Sequence, residues 1–185
     1  MKTFRNFVGG MVFTVVLAFN GCGPAPVQLP EIPLERVTPY FSEAAEVQTI
    51  DTSYYQVKDA QGEVIGTLLF SMPYTESVKG YNGNTPLLIA LDANDCIKQV
   101  VMLPNHETPR FAERVEEGGL YHSWDGLTVE EALTKPVDAI SGATYTSNGV
   151  KGTLTMRLKA YQRQLQKEPI KPTFWQRILG KLMKQ

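Results

Sequence analysis

The sequence has few of the side chains that hold metals or form disulfide frameworks. It contains two cysteines and two histidines among 185 residues. Those numbers exclude a disulfide scaffold, a four-cysteine zinc site and a cysteine-ligated iron–sulfur cluster. We therefore predict no metal site, and any redox chemistry requires a non-metal cofactor.

An excess of charge of either sign is also missing. The 18 basic and 19 acidic residues leave a net charge of −1, which excludes the overall basic field of a nucleic-acid-binding protein. With 43% hydrophobic residues, the chain is not disordered throughout. Its length fits one ordinary domain with additional segments.

The N-terminus has the pattern of an export signal. An uncharged run at residues 7–19 follows Lys2 and Arg5. The run is shorter than the roughly 20 apolar residues that span a bilayer, and it has the length of a signal-peptide core. Asn20-Gly21-Cys22 resembles a bacterial lipoprotein cleavage site, with Cys22 as the lipidated residue. The alternative is an uncleaved membrane anchor. Both hypotheses place the remaining chain on the extracytoplasmic face of the bacterial cell envelope, tethered to a membrane.

Composition divides the chain into four segments. Residues 1–22 form the export segment, and residues 23–45 are predicted to be a proline-rich tether, because five prolines lie between positions 23 and 39. Residues 46–167 form the body. Residues 168–185 are a basic amphipathic tail, which either lies on an anionic membrane or partner or packs back on its own domain.

The body is predicted to be one α+β domain, with antiparallel hairpins packed against helices. Strand-like residues 54–57 and 63–71 flank a turn at 59–62, and a second strand pair spans 86–91 and 96–102. Thr108-Pro109 and the capping-box spacing of Thr128 to Glu131 each predict the start of a short helix.

The clearest predicted helix spans about residues 147–166. Its apolar side chains recur at intervals of three or four, which places them on one core-facing side; they are Val150, Leu154, Leu158, Tyr161 and Leu165.

The residues with chemical interest precede this helix. Small residues at Gly142 and Ala143 allow a ligand to approach the backbone closely. Four hydroxyls follow one another here, at Ser141, Thr144, Thr146 and Ser147. The N-terminus of a helix binds anions, phosphate above all, and Ser147 is a plausible N-cap. The residues alone leave two interpretations, a phosphate-binding loop or an ordinary capped turn.

A resemblance favours the first interpretation. The segment Asp138-Ala139-Ile140-Ser141-Gly142-Ala143-Thr144 resembles the flavinylation motif of the FMN-binding domain family. That family includes components of the Rnf electron-transport complex and of the sodium-pumping NADH:quinone oxidoreductase. The resemblance implies that FMN is joined to Thr144 through a phosphoester bond. It also implies that Asp138 presents the loop or contacts the attaching enzyme; otherwise Asp138 is a surface residue at a strand end.

Two further segments are similar to the same family. Gly80-Tyr81-Asn82-Gly83 and the strand after it resemble the family's glycine–aromatic–glycine turn. His106-Glu107-Thr108-Pro109 resembles a segment near the flavin ring, although no residue separates His106 from Glu107 and Arg110 replaces a glycine. The resemblance covers about residues 50–165. It implies that Tyr81, His106, Glu107 and Thr108 contact the cofactor.

The resemblance implies a membrane-tethered flavoprotein that relays electrons in a respiratory or ion-pumping chain. Its partners would be a flavin transferase that uses FAD and magnesium and the redox proteins of a membrane complex. Thr144 is then a modification acceptor, and we predict no catalytic residue in this chain.

Two alternatives remain at this point. A hydrolase would recruit Ser141 or Ser147, His106 or His122, and Asp138, but the sequence has no Gly-x-Ser-x-Gly elbow; these are the residues available to it. A non-redox ligand-binding or scaffold lipoprotein is the other. A protein of either kind would be colourless, because it would carry no flavin.

Replacing Cys22 by serine tests the predicted anchor. If Cys22 is lipidated, the Cys22→Ser chain should leave the membrane fraction or accumulate unprocessed, because the acyl chains that hold it are missing. Fractionation and gel mobility measure both effects. A full-length wild-type chain whose membrane binding is unchanged by Cys22→Ser would instead indicate the uncleaved anchor.

Overall fold

A computed structural model of the protein describes residues 31–167. The predicted export segment, the first part of the tether and the tail at 168–185 lie outside the described residues. Five strands and three α-helices follow a short 3-10 helix at Leu34–Arg36, and a second 3-10 helix lies at Leu120–Trp124. The elements are β1 Glu46–Asp51, β2 Tyr54–Lys58, β3 Val64–Phe70, β4 Leu87–Asp92, β5 Ile97–Met102, α1 Pro109–Glu117, α2 Val129–Thr134 and α3 Thr144–Lys167.

The five strands form one antiparallel sheet in the order β1-β2-β3-β4-β5. Tyr55 lies opposite Leu68 in the β2–β3 hairpin, and Ile89 lies opposite Val100 in the β4–β5 hairpin. Both predicted hairpins and the α+β class are therefore confirmed. Strand β1, whose residues are largely polar or half-buried, was not predicted.

The helices cover one face of this sheet. The apolar face of α3 packs there against buried residues of β3 and β4, including Leu69 and Ile89. Four of the five residues predicted on that face are buried, while Leu165 is exposed. Within residues 31–167 no helix is long and apolar enough to cross a membrane.

The chain before β1 covers the other face. Val37 and Phe41 are fully or almost fully buried there, in a cluster with Tyr55 and Leu68. The prediction of an extended tether to residue 45 is therefore wrong for residues 34–41. The apolar side chains of Val37 and Phe41 bring this part of the segment back onto the sheet, where their burial stabilises the fold.

Local sequence signals set the ends of the short helices. Thr108 is the N-cap of α1 and Pro109 occupies the first helical position, as predicted, although the Thr108 hydroxyl makes no capping bond. In α2 the predicted capping box is complete, since Thr128 and Glu131 exchange both reciprocal bonds. Helix α3 begins at Thr144, three residues before the predicted start.

A buried arginine joins α3 to the sheet. The guanidinium of Arg157 donates to the carbonyl oxygens of Phe70 (2.7 Å) and Ser53 (3.1 Å), and its side chain is completely buried. Desolvation lowers the pKa of Arg157 to about 10, against the opposing influence of Tyr74 and Asp51. Arg157 therefore stays charged at neutral pH and links β3 and the turn between β1 and β2 to the helix.

A second contact lies beside it at the end of β1. Asp51 Oδ2 accepts hydrogen bonds from Tyr74 Oη (3.0 Å) and Gln164 Nε2 (2.6 Å). Partial burial raises the pKa of the Asp51 carboxyl, but hydrogen bonds from Tyr74, Thr52 and Ser53 outweigh that effect and hold the pKa below its usual value. The last turns of α3 are thus held to the first hairpin by polar contacts.

Arg157→Met tests the importance of this link. Methionine keeps the apolar stem but removes the Arg157 donor from the buried Phe70 carbonyl oxygen, while the Ser53 carbonyl keeps only the bond from the Phe70 N–H. We therefore expect the free energy of unfolding to fall by about 2 kcal/mol. Urea denaturation measures it. Arg163→Met, at an exposed position on the same helix, should change stability by less than about 0.5 kcal/mol. Equal losses in the two variants would contradict the role assigned to Arg157.

Candidate functional site

The site is built around the turn that begins α3. Gly142 has φ +77°, a left-handed conformation that glycine adopts without strain. Ser147 closes the turn with two hydrogen bonds: its Oγ accepts from the Ile140 N–H (3.1 Å) and donates to the Ala143 carbonyl (2.9 Å). Ser147 therefore lies inside the first turn of α3, and its prediction as the N-cap is wrong.

The four hydroxyl-bearing residues of the turn differ in their exposure to solvent. Ser147 and Thr146 are completely buried, whereas Ser141 and Thr144 are exposed. Thr144 is the first residue of α3, beside backbone N–H groups that have no carbonyl partner within the helix. The helix dipole adds positive potential at the same place. An anionic group attached to Thr144 would be stabilised there.

A buried glutamate connects the three segments that the sequence singled out. Glu107 is 6% exposed, and its Oε2 accepts the hydroxyl proton of Thr146 at 2.7 Å. Its Oε1 accepts the backbone N–H of Asn82 at 2.9 Å. The Asn82 side chain in turn donates to the carbonyl oxygen of His106 at 2.7 Å. These bonds hold the turn at 80–83 against the start of α3.

Two glycines allow that close approach. A Cβ atom on Gly149 would lie 2.7 Å from the Cα of Gly80, and one on Gly80 would lie 2.6 Å from Glu107 Oε1. Neither position has room for a larger residue, because the contacts are with backbone and with a carboxylate fixed by its own bonds. The small residues of both segments therefore serve helix–turn packing.

A shallow aromatic cleft opens above this contact. Its volume is about 70 Å³, and its walls are Tyr81, Phe111 and residues 142–146. The rings of Tyr81 and Phe111 meet edge to face, with centroids 4.8 Å apart, and Tyr145 lies 6.4 Å from Tyr81. Tyr81 and Tyr145 are 59% and 71% exposed. Two large aromatic surfaces thus stand open to solvent beside Thr144.

Arg114 is a residue of this site that the sequence analysis missed. It lies in α1, and its guanidinium packs against the Gly142 backbone so closely that a Cβ there would collide with Nη1. It takes part in neither of the two ion pairs found among residues 31–167. Its position in the sequence could have indicated its role, because Arg114 follows Phe111 by one helical turn and both side chains lie on the same side of α1.

The remaining predicted residues lie at the margin. Asp138 is exposed, and so is His106, which reaches the site through its backbone carbonyl.

The hydrolase alternative finds no support in the geometry. His122 pairs with Asp125 at 2.8 Å, and the Ser147 hydroxyl is occupied within the turn.

Comparisons with known proteins show what the part of the chain that holds this site is similar to. Residues 80–159 match the family model of the FMN-binding domain. Among solved structures, the crystal structure of Shewanella oneidensis NqrC is similar over 70% of this chain and 74% of that chain, with 18% sequence identity and a TM-score of 0.44. No curated protein matches the sequence.

Thr146→Val tests the connection made by Glu107. Valine has nearly the shape of threonine but leaves Glu107 Oε2 without that donor, so we expect a loss of about 1–3 kcal/mol in the free energy of unfolding. The same substitution at exposed Thr144 should cost less than about 0.5 kcal/mol. Urea denaturation of the unmodified proteins compares the two. A Thr146→Val chain as stable as Thr144→Val would contradict the connection.

Proposed function

We propose that this chain binds FMN, since residues 80–159 match the family model of the FMN-binding domain, and that the FMN is attached to Thr144 through a phosphoester bond. The observation that carries this proposal is the position of the Thr144 hydroxyl. It is exposed at the first residue of α3 and lines the cleft, whereas the neighbouring hydroxyls of Thr146 and Ser147 are buried and bonded within the protein.

The residues present fit the phosphate end of the cofactor. A phosphoester on Thr144 would lie at the N-terminus of α3, where backbone N–H groups and the helix dipole favour an anion. The guanidinium of Arg114 packs on the adjacent Gly142 and offers a positive charge there. Arginine suits this task because its planar donors match phosphate oxygens.

The size of the cleft supports a covalent bond. Sites that retain small molecules without one are clefts of about 300–1,000 Å³ that enclose most of the ligand. The cleft here is about 70 Å³, and it cannot enclose a flavin. The ring would instead lie against the open surfaces of Tyr81 and Tyr145. A shallow site of this kind holds its cofactor through the bond to Thr144.

Attachment requires another enzyme. A threonine hydroxyl is a weak nucleophile without an adjacent base, and no hydrogen bond to a basic side chain is found for Thr144 in the part of the chain that the structure describes. We infer a transferase that uses FAD and magnesium. Thr144 Oγ would form a bond to the phosphorus of the FMN half, the P–O–P bond of FAD would break, AMP would leave, and the hydroxyl proton would pass to the transferase or solvent.

The proposed role is electron relay at the membrane. Bound flavin supplies electron acceptance and donation, and the protein supplies its position and surroundings. The export pattern and Cys22 support a location on the extracytoplasmic face of the cell envelope. There a covalent bond prevents loss of the cofactor by dilution. The proposed partners are redox proteins of a membrane electron-transfer complex.

Thr144→Val tests the attachment site. The full-length chain is produced together with a flavin transferase and separated on a denaturing gel. The wild-type chain should give a fluorescent flavin band, and Thr144→Val should give none, because the acceptor hydroxyl is missing. Thr144→Ser should keep a band, since serine retains the hydroxyl.

Thr146→Val is the matched control, two residues away in the same helical turn. It should keep the fluorescent band, since its hydroxyl is not the acceptor. Covalent flavin on Thr144→Val would overturn the assignment to Thr144. A colourless wild-type chain under the same conditions would instead favour a non-redox scaffold protein.

A further inference from the structure

A groove runs along the outer side of α3, separate from the aromatic cleft. Its volume is about 520 Å³. Apolar surface is contributed by Tyr74, Met156 and Ala160, and positive charge by Lys151, Lys159 and Arg163. Met156 and Tyr74 are both exposed, so apolar surface faces solvent between the cationic groups. A groove of this composition fits a ligand that is partly apolar and partly anionic.

The three cations have no anionic partner among the described residues. The ion pairs of residues 31–167 are Lys58 with Glu46 and His122 with Asp125. From Lys151 to Arg163 the helix rises by about 18 Å, and positions 151, 155, 159 and 163 follow one side of α3. The groove therefore presents a row of unpaired positive charge along a rigid element.

We propose that this groove binds an acidic segment of a partner protein. The carboxylates of that segment would pair with the three cations, and an apolar side chain between them would contact Met156 and Tyr74. The groove is concave and has apolar surface between its charges, which suits the side chains of a protein segment. A flat array of lipid headgroups would meet its cationic rim and leave the apolar floor empty.

The chain's own terminal segments do not have the required charge. Residues 1–30 contain no acidic residue. Residues 168–185 contain one acidic residue, Glu168, and four basic residues, at positions 171, 177, 181 and 184. Either segment would bring positive charge to a positive groove. Charge complementarity therefore points to a second protein.

The groove lies on the same helix as the proposed flavin attachment. Thr144 precedes Lys151 by seven residues, which is two helical turns and about 10 Å along the axis, on the same side of α3. If the flavin relays electrons as proposed, a partner seated in the groove lies beside the cofactor. We infer that this partner exchanges electrons with the flavin, and that inference rests on the proposed function. Binding of an acidic segment in the groove does not rest on it.

The test uses the full-length chain in detergent and a fluorescein-labelled helical peptide with a central leucine flanked by glutamates. Anisotropy measures the Kd at low and high NaCl. The variant K151Q/K159Q/R163Q should bind about tenfold more weakly, because three exposed charge pairs are lost. The matched variant K79Q/K98Q/K135Q loses the same charge elsewhere and should keep the wild-type Kd. Met156→Glu should also weaken binding, since it places a carboxylate on the apolar floor.

The remaining variants and measurements distinguish the other possible occupants of the groove. Thr144→Val should bind the peptide as the wild-type chain does, which separates failure of the flavin assignment from failure of the groove. Equal losses in the two triple variants, or no peptide binding at all, would overturn the proposal. So would groove-dependent binding to phosphatidylglycerol vesicles without peptide binding. Groove-dependent self-association in sedimentation, or peptide binding that appears only after removal of residues 168–185, would assign the groove to this chain and also overturn it.

Discussion

The site depends on the buried carboxylate of Glu107. Its two oxygens bond to Thr146 in the first turn of α3 and to the Asn82 backbone, so one side chain fixes two segments that are far apart in sequence. A buried carboxylate is costly to leave without donors, and both donors are supplied here by the segments that it joins. That arrangement places the start of α3 beside the turn that carries Tyr81. Gly80 and Gly149 meet at the same place, where neither position has room for a Cβ atom.

Much of the fold could be predicted because its signals are local. Strand-like segments joined by short turns predicted both hairpins, and the capping box at Thr128 predicted the start of α2. Features that depend on distant partners were missed. Strand β1 has a weak apolar pattern, and it forms by pairing with β2. Val37 and Phe41 lie in a proline-rich segment, and nothing in their neighbours showed that the sheet had an uncovered face for them.

The candidate site shows the same division. The resemblance placed Thr144 and the segments around Tyr81 and Glu107 in one site, and the structure brings those segments together. The individual tasks could not be predicted, since a hydroxyl on a loop looks the same whether it points outward or inward. Thr146 and Ser147 stabilise the turn and leave Thr144 as the exposed threonine of the turn. The contribution of Arg114 depends on the packing of α1 against Gly142, which no local pattern encodes.

The open position of Thr144 has a consequence for the order in which the protein matures. The bonds that hold the start of α3 are made by Glu107, Thr146 and Asn82, which are all groups of the protein itself. The proposed transferase would then act on a finished surface, and its recognition would depend on the shape of a helix end rather than on an unfolded stretch of chain. Under the proposed function, the chain would therefore fold first and receive its redox group afterwards.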